Sequence, residues 1–202
     1  MQEKQPGIYY ITGESLESVK NAPFLEKLKK KGYEVLYMVD AIDEYMVQQL
    51  KEYKEKKLLC VTKENLNLED DEEEKKRLEE EKKEYEDLCV LMKEVLGDKV
   101  TEIKASTKLK THPVCLSSGQ GLTFEMEKYF AAVQPDLNMK AQRILEINVD
   151  HPAFITFEAA RITEPEKAKK YAEILYNQAC LIAGLPIDDP SAYTDLLCSL
   201  WQ

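Results

Sequence analysis

The stretch from Glu164 to Gln202 constrains the fold most, because it predicts two amphipathic helices joined by a tight loop. Asp189 is placed as the N-cap of the second helix, and Pro190 takes the first helical position, where a missing N–H costs nothing. The spacing i, i+3, i+4 is repeated by the apolar residues of both helices. These residues are Ala168, Tyr171, Ala172, Leu175, Ala179 and Ile182, followed by Tyr193, Leu196, Leu197, Leu200 and Trp201.

Two arrangements could bury the apolar stripe of the second helix. In the first, the stripe packs on the core of its own chain. In the second, the helix pair meets the helix pair of another copy and forms an intermolecular four-helix bundle. The pattern of residues leaves both arrangements open.

Composition excludes several classes of partner. The 202 residues carry a formal net charge of −10 and no basic stripe, so we expect no nucleic-acid partner. No run approaches the roughly 18 apolar residues of a membrane helix, and the polar first residues predict no signal peptide. Five cysteines without a C-x-x-C pair are expected to be reduced thiols in a cytoplasmic protein.

Residues 1–68 predict a small three-layer αβα subdomain of the Rossmann-like type. Strands are predicted at 8–12, 33–39 and 58–62, and helices between them include one from Ile42 to about Tyr53. The order β-α-β-α-β with short connections favours a parallel sheet with right-handed crossovers. Gly32, after three lysines, is the expected end of a helix in this region.

Residues 69–97 predict a charged connecting helix that ends at Gly97. Acidic and basic residues lie three or four apart, and a sparse apolar stripe thickens toward the end of the segment. A coiled coil is the alternative, but its heptads are not sustained. A plain linker explains the periodic stripe less well.

Residues 98–202 predict an α+β domain with a small sheet, a helix over 122–133, a short helix after His151, and the terminal helix pair. The predicted strands lie at 100–105, 113–117 and 143–148. The fold class expected for the chain is therefore α/β followed by α+β.

Residues that could carry chemistry do not form a recognisable catalytic site. Gly119-Gln120-Gly121 lacks the third glycine and the lysine of a phosphate-binding loop, and the two histidines precede prolines without metal-ligand spacing. Asp40, Asp43 and Glu44 could form an acid pair, although capping of the helix at Ile42 explains them more simply. We therefore predict no catalytic residue, cofactor or metal. Two alternative functions stay open at this point: a small Rossmann-like nucleotide-binding enzyme and a passive dimeric scaffold.

The helix predicted at 122–133 has an apolar face that suits either a core or an adaptable binding surface. This face consists of Leu122, Met126, Tyr129, Phe130 and Val133, with Glu125, Glu127 and Lys128 opposite. Methionine and aromatic side chains adapt to varied apolar partners. The glycines at 119 and 121 predict a loosely tethered start for this helix.

Several strings of residues closely resemble the heat-shock protein 90 chaperones. They are IYYITGES at 8–15, KNAPFLE at 20–26, KGYEVLYM at 31–38, IDEY at 42–45, LGDKV at 96–100, LEIN at 145–148 and DDP at 188–190. The resemblance runs the full length, and residues 117–128 look like the bacterial version of the family.

The resemblance implies the end of the middle domain (1–68), the connecting helix (69–97) and the C-terminal dimerisation domain (98–202). It implies a homodimer that contacts partly folded client proteins. It also implies that ATP and Mg are bound by upstream domains and that this chain has no ATPase activity. The family's eukaryotic members carry an acidic tail for repeat-domain co-chaperones, which is not expected here. The implied client-contact residues are Tyr45, Leu122, Met126, Tyr129 and Phe130. The implied dimer interface comprises Tyr171, Leu175, Ala179, Ile182, Tyr193, Leu196, Leu197, Leu200 and Trp201.

Overall fold

A computed structural model describes residues 5–63, residue 66 and residues 85–201 of the chain. The chain divides into two compact units: Met1–Leu68 with Ser118–Ala141, and Glu69–Ser117 with Gln142–Gln202. The predicted domain boundaries at 68 and 97 stay a prediction. In chain order, the described residues form β1 (Ile8–Thr12), α1 (Leu16–Lys20), α2 (Glu26–Lys30), β2 (Val35–Met38), α3 (Asp43–Gln49), β3 (Glu52–Tyr53), β4 (Lys56–Cys60), α4 (Glu86–Leu96), β5 (Glu102–Ala105), β6 (Val114–Ser118), α5 (Phe124–Val133), β7 (Arg143–Ile147), α6 (Pro152–Thr163), α7 (Pro165–Ile182) and α8 (Pro190–Cys198).

The first unit contains a four-stranded sheet in the order β2-β1-β4-β3. The central strand β1 pairs in parallel with both β2 and β4, so that Tyr9 lies opposite Val35 on one side and Leu59 on the other. Tyr9 and Ile11 are buried, as expected for a strand with a neighbour on each side. The parallel pairing of three strands was predicted from the sequence, whereas their stacking between two helical layers stays a prediction.

The edge of this sheet differs from the prediction. The helix predicted from Ile42 to about Tyr53 ends at Gln49, and the chain then forms the short strand β3, which pairs antiparallel with β4. The two turn residues, Lys54 and Glu55, have φ angles of 47° and 64°. Two left-handed residues match the twist of a two-residue hairpin, but asparagine and glycine are the usual sequence signals for it. The prediction missed the hairpin because lysine and glutamate occupy those positions.

Helices α1 and α2 have local caps, of which the sequence predicted the one at Gly32. Ser15 caps α1, because its hydroxyl oxygen accepts a hydrogen bond of 3.2 Å from the backbone N–H of Ser18. The chain leaves α2 through Gly32, whose φ of +69° is in the left-handed region. Val19, Leu25 and Leu28 bury the apolar faces of these short helices.

The second unit is built on a three-stranded sheet in the order β5-β7-β6. The strands β5 and β7 are parallel, with Glu102 opposite Ile144. Every residue of β6 is buried, and Leu145 and Ile147 of β7 are also completely enclosed. These strands lie close to the predicted positions, and together they form the core of the unit.

The helices of the second unit end and begin at the residues that the sequence predicts. Helix α4 ends at Gly97, which has a φ of +54°; the part of the predicted connecting helix over 69–84 lies outside the described residues. His151 precedes α6, and its Nδ1 accepts a 3.1 Å hydrogen bond from the backbone N–H of Ala153. Asp189 caps α8 by accepting from the N–H of Ala192 at 2.9 Å, and Pro190 is its first residue.

A buried ion pair crosses the second unit, and no sequence pattern predicted it. The ammonium group of Lys108 lies 2.8 Å from Oε1 of Glu146, and both side chains are almost completely enclosed. Lys108 also donates to Oγ of Ser117 at 2.9 Å, and the Ser117 hydroxyl donates to Glu146. Ser106 donates to the second carboxylate oxygen at 2.8 Å. Each oxygen of this carboxylate therefore has a partner.

The described part of the chain is a mixed α and β protein with eight α-helices and two small sheets. None of the helices in this part is long and apolar enough to cross a membrane. The coarse fold class predicted from the sequence is confirmed, while the intermolecular four-helix bundle stays a prediction.

Candidate functional site

Helix α5 is fixed within the first unit by its preceding residues. The backbone N–H of Ser118 donates to the carbonyl oxygen of Thr62 at 3.1 Å, and the Lys63 ammonium donates to the carbonyl oxygen of Gln120 at 3.2 Å. Thr123 then caps the helix, because its hydroxyl oxygen accepts from the N–H of Met126 at 3.2 Å. The helix begins at Phe124, two residues later than predicted.

Thr123 also ties α5 to α3. Its hydroxyl donates a 2.6 Å hydrogen bond to Oε1 of Glu44, and both residues are buried. Further along the helix, the side-chain amide of Gln48 donates to the sulfur of Met126. The start of α5 is therefore held by specific contacts, although glycines precede it in the sequence.

These contacts enclose a cleft of about 370 Å³. It opens at the carboxyl ends of β1 and β2 and is bounded by α3 and α5. The lining residues are Thr12, Gly13, Glu14, Met38, Val39, Asp40, Ala41, Glu44, Tyr45, Glu125, Met126, Lys128 and Tyr129.

Two of the lining residues are tyrosines whose rings contact each other. The rings of Tyr45 and Tyr129 meet edge to face with centroids 5.4 Å apart, and Tyr129 makes a similar contact with Phe130 at 5.7 Å. The side-chain hydrogen bond with Tyr129 raises the pKa of Tyr45 to about 12. Tyr45 is 37% exposed and Tyr129 is 41% exposed, so both rings remain accessible.

Carboxylates dominate the charge of the cleft. Glu14, Asp40, Glu44 and Glu125 are lining residues, and Lys128 is the single basic side chain among them. The Lys128 ammonium lies 2.8 Å from Glu125 and 3.3 Å from Glu14. Burial raises the pKa of Glu125, and this effect is partly offset by Lys128, while the charges of Glu14 and Glu44 raise the pKa further.

Glu44 is the most unusual of these carboxylates. It is 9% exposed, and its Oε1 accepts from Thr123. Its Oε2 is enclosed and has no hydrogen-bond partner among the described residues. The expectation that Glu44 caps its own helix is wrong, because no side chain caps α3 at Ile42. Its neighbour Asp43 instead accepts a 3.1 Å hydrogen bond from the N–H of Asp40.

The structure brings three of the five predicted client-contact residues together. Tyr45, Met126 and Tyr129 line the cleft, whereas Leu122 and Phe130 are half-buried and are not lining residues. Glu127, expected on the outer face of the helix, is buried, and its carboxylate accepts from the N–H of Ala141 at 2.7 Å. Sequence reasoning missed the placement of Glu44 and Thr123, which are 79 residues apart.

The predicted interface residues of α7 divide into two groups. Leu175 and Ala179 are buried within the chain, and the ring of Tyr171 contacts Phe157 edge to face at 5.9 Å. Ile182, at the end of the helix, is 38% exposed. Part of the stripe predicted for an interface therefore packs in the second unit, and its role between copies stays a prediction.

Helix α8 is different, because none of its residues is buried. The apolar side chains of its stripe are half-buried at most, and Trp201 in the following 3₁₀ turn is 84% exposed. The half-buried residues are Tyr193, Leu196, Leu197 and Leu200. The chain by itself therefore covers this apolar stripe only in part, and Trp201 remains largely open to water.

Comparisons with known proteins agree on one family. The model of the Hsp90 protein family matches residues 1–202. Chaperone protein HtpG of Clostridium acetobutylicum is 46% identical over 202 residues, which are 100% of this chain and 32% of that protein. Chaperone protein HtpG of Natranaerobius thermophilus is 41% identical over 200 residues, which are 99% of this chain and 32% of that protein. The chain thus spans about a third of the length of these curated relatives.

Proposed function

This chain belongs to the Hsp90 protein family as a fragment of the bacterial type, and we propose that it joins two copies of a chaperone and contacts their client proteins. ATP with Mg binds elsewhere in the whole chaperone, and this chain contributes no nucleotide site and no catalysis. It acts in the cytoplasm on partly folded proteins.

The observation that carries the dimer proposal is the incompletely buried apolar stripe of α8 and the following turn. Tyr193, Leu196, Leu197 and Leu200 share one face with Trp201, and no residue of this helix is buried within the chain. A contiguous apolar face of this kind marks an interaction surface. A second copy presents the same face, so that two α8 helices together with the ends of two α7 helices complete a four-helix bundle.

The cleft of the first unit supports the client-contact role. Tyr45, Met126 and Tyr129 line the cleft, and the rings of Tyr45 and Tyr129 remain accessible. Leu122 and Phe130 are half-buried neighbours of Met126 and Tyr129 in the sequence. Methionine and tyrosine make favourable contacts with many apolar partners. Contacts of this kind are individually weak, which suits transient binding of many unfolded segments.

Dimerisation and client contact have one consequence for the whole chaperone. Joining two copies raises the effective concentration of the two upstream ATPase arms, because their encounter becomes intramolecular. The expected contribution of this chain to the ATP-dependent cycle is therefore mechanical. It holds the two arms on one dimer and offers a surface for the client.

Sedimentation equilibrium of the 202-residue chain tests the dimer. The wild type should sediment as a dimer, and Leu197→Glu with Leu200→Glu should give a folded monomer, because four buried charges would oppose association. The matched control is Ile155→Glu with Ile162→Glu, at positions on α6 that are 64% and 69% exposed. We expect the control to remain a dimer. A wild-type monomer at micromolar concentration would contradict the proposal.

Suppression of aggregation of a chemically unfolded client tests the cleft. Met126→Ser with Tyr129→Ser should weaken suppression and leave the dimer intact, because these side chains line the cleft and are remote in sequence from α8. The control is Val133→Ser, a residue of the same helix that is 55% exposed and is not a lining residue. Equal suppression by wild type and the double variant would refute the client-contact assignment.

A further inference from the structure

We propose that the cleft selects client segments in which a lysine or arginine is flanked by apolar residues, and that Oε2 of Glu44 accepts the charged group. This inference rests on the client-contact function and names the class of segment that is recognised. The occupant is a positively charged side chain of another protein, with an apolar stem and apolar neighbours.

The two carboxylate oxygens of Glu44 differ in their hydrogen bonding. One oxygen accepts the hydroxyl of Thr123 at 2.6 Å, and the other has no partner among the described residues. The residue is 9% exposed and lines the cleft. A buried acceptor without a donor is unfavourable, and more so when it is charged. Because Oε2 is enclosed, a donor that enters the cleft would satisfy it once the Glu44 side chain turns toward the opening.

Negatively charged side chains outnumber positively charged ones in the lining of the cleft. Four lining carboxylates face one lysine, and that lysine is within ion-pair distance of Glu14 and Glu125. Lys128 is therefore engaged by two carboxylates other than Glu44. A cleft with an excess of one sign of charge concentrates ligands of the opposite sign. Cations are favoured here, and acidic segments are repelled.

The lining of the cleft suits a positively charged side chain better than a metal ion. Among the described residues, no group of three or more histidine, cysteine, aspartate or glutamate side chains could hold a metal ion. The walls of the cleft are largely apolar, with Met38, Val39 and Met126 among the lining residues. Lysine and arginine match such a site, because their long apolar stems pack on apolar walls while the charged end reaches an acceptor.

The tyrosines add to this selectivity. Tyr45 and Tyr129 line the same cleft as Glu44, and their ring faces can attract a cation. A segment with an apolar residue beside its basic residue would contact the aromatic rings and the carboxylate together. An uncharged segment would make the apolar contacts and leave Glu44 without a partner.

Fluorescence anisotropy with two labelled peptides tests the proposal. The peptides share one sequence with apolar residues around a central arginine, and in the second peptide that arginine is replaced by citrulline, which has nearly the same shape and no charge. Wild-type chain should bind the arginine peptide about tenfold more tightly, as expected for one charge-assisted hydrogen bond. Measurement near 0.15 M salt screens the general attraction of the acidic chain for cations.

Glu44→Gln is the decisive variant. Its amide keeps an oxygen that can accept from Thr123, and it removes the charge and the acceptor at the position of Oε2. We expect it to bind both peptides with equal affinity. The charge-matched control is Glu17→Gln, an exposed residue of α1 that does not line the cleft, and it should keep the tenfold preference.

The outcomes separate this inference from the proposed function. Equal binding of both peptides by the wild type would overturn the basic selectivity and leave the client-contact function standing. A preference for arginine that persists in Glu44→Gln would also overturn the assignment to Glu44. If the wild type binds neither peptide and does not suppress aggregation of the client, both the proposed function and this inference are refuted.

Discussion

Removing the buried cation Lys108 should destabilise the second unit far more than removing an exposed lysine with the same ion-pair distance. Lys108 and Glu146 lie 2.8 Å apart, with side chains that are 1% and 2% exposed. Lys169 and Glu166 lie 2.6 Å apart on the surface of α7, with side chains that are 48% and 83% exposed. The two pairs therefore differ mainly in their burial.

The magnitude follows from the charge that is left behind. Lys108→Met leaves the Glu146 carboxylate buried without its cation, and breaking a buried pair in this way costs about 3–5 kcal/mol. Lys169→Met leaves Glu166 in water, so the change in the free energy of unfolding should be below about 1 kcal/mol. Urea denaturation followed by circular dichroism at pH 7 measures both values.

Acidic pH should reduce the difference in the free energy of unfolding between Lys108→Met and the wild type. Burial raises the pKa of Glu146, but the Lys108 ammonium and the hydrogen bonds from Lys108, Ser117 and Ser106 outweigh it and hold the pKa below its ordinary value of 4.5. A depressed pKa means that ionised Glu146 stabilises the wild type above about pH 4.5 and that this contribution is lost as the pH falls through the folded-state pKa. Without the ammonium, burial dominates, and the carboxyl group of the variant becomes neutral at higher pH.

The double variant Lys108→Met with Glu146→Gln supplies the coupling energy. It removes both charges, so it should be less destabilised than Lys108→Met alone. If Lys108→Met and Lys169→Met unfold at the same urea concentration at pH 7, the buried pair does not stabilise the unit as its geometry indicates. A destabilisation that is constant from pH 7 to pH 4.5 would show that Glu146 is not the group affected.

Two further predictions concern the ends of helices. Asp189→Ala should lower the stability of α8 by about 1 kcal/mol, because the N–H of Ala192 loses its acceptor. The same variant should weaken dimerisation in sedimentation equilibrium. The control Asp195→Ala changes an exposed residue within the helix and should have neither effect. Gly97→Ala should lower the free energy of unfolding by about 1–2 kcal/mol in thermal unfolding, because a φ of +54° is unfavourable for a residue with Cβ. Gly121 also has open space around it but has no left-handed φ, so Gly121→Ala should lower the free energy of unfolding less. Equal melting temperatures for the two alanine variants would contradict the second prediction.

Local signals explain why much of the fold could be predicted. Asp189 with Pro190, and the glycines at 32 and 97, act through the backbone of their own helix, so their effect can be read from neighbouring residues. The strand β1 is marked by a run of β-branched and aromatic residues, and β2 by a run of apolar residues. The hairpin at Lys54 and Glu55 was missed because left-handed turns are usually marked by other residues.

The polar interior could not be predicted, because its partners are distant in the sequence. Lys108 and Glu146 are 38 residues apart, and Glu44 and Thr123 are 79 residues apart. Neither pair has a spacing that a helix or a hairpin would impose, so nothing in the sequence marks it. The resemblance to a family indicated Tyr45 and the helix at 122–133 as a contact region, but it did not indicate that Glu44 is buried beside them.

The two buried glutamates differ in hydrogen bonding in the way expected of a structural role for Glu146 and of the recognition role proposed for Glu44. Glu146 accepts from Lys108 and Ser117 at one oxygen and from Ser106 at the other, so both of its oxygens already have donors within the chain. Glu44 lines the cleft, has a partner at one oxygen, and has an enclosed second oxygen without a hydrogen-bond donor among the described residues. Because an unpaired buried charge is unfavourable for folding, a carboxylate in this state is of use when a partner supplies the missing donor. Neutralising Glu146 should therefore reduce the stability of its unit, whereas neutralising Glu44 should reduce selectivity at little expense to stability.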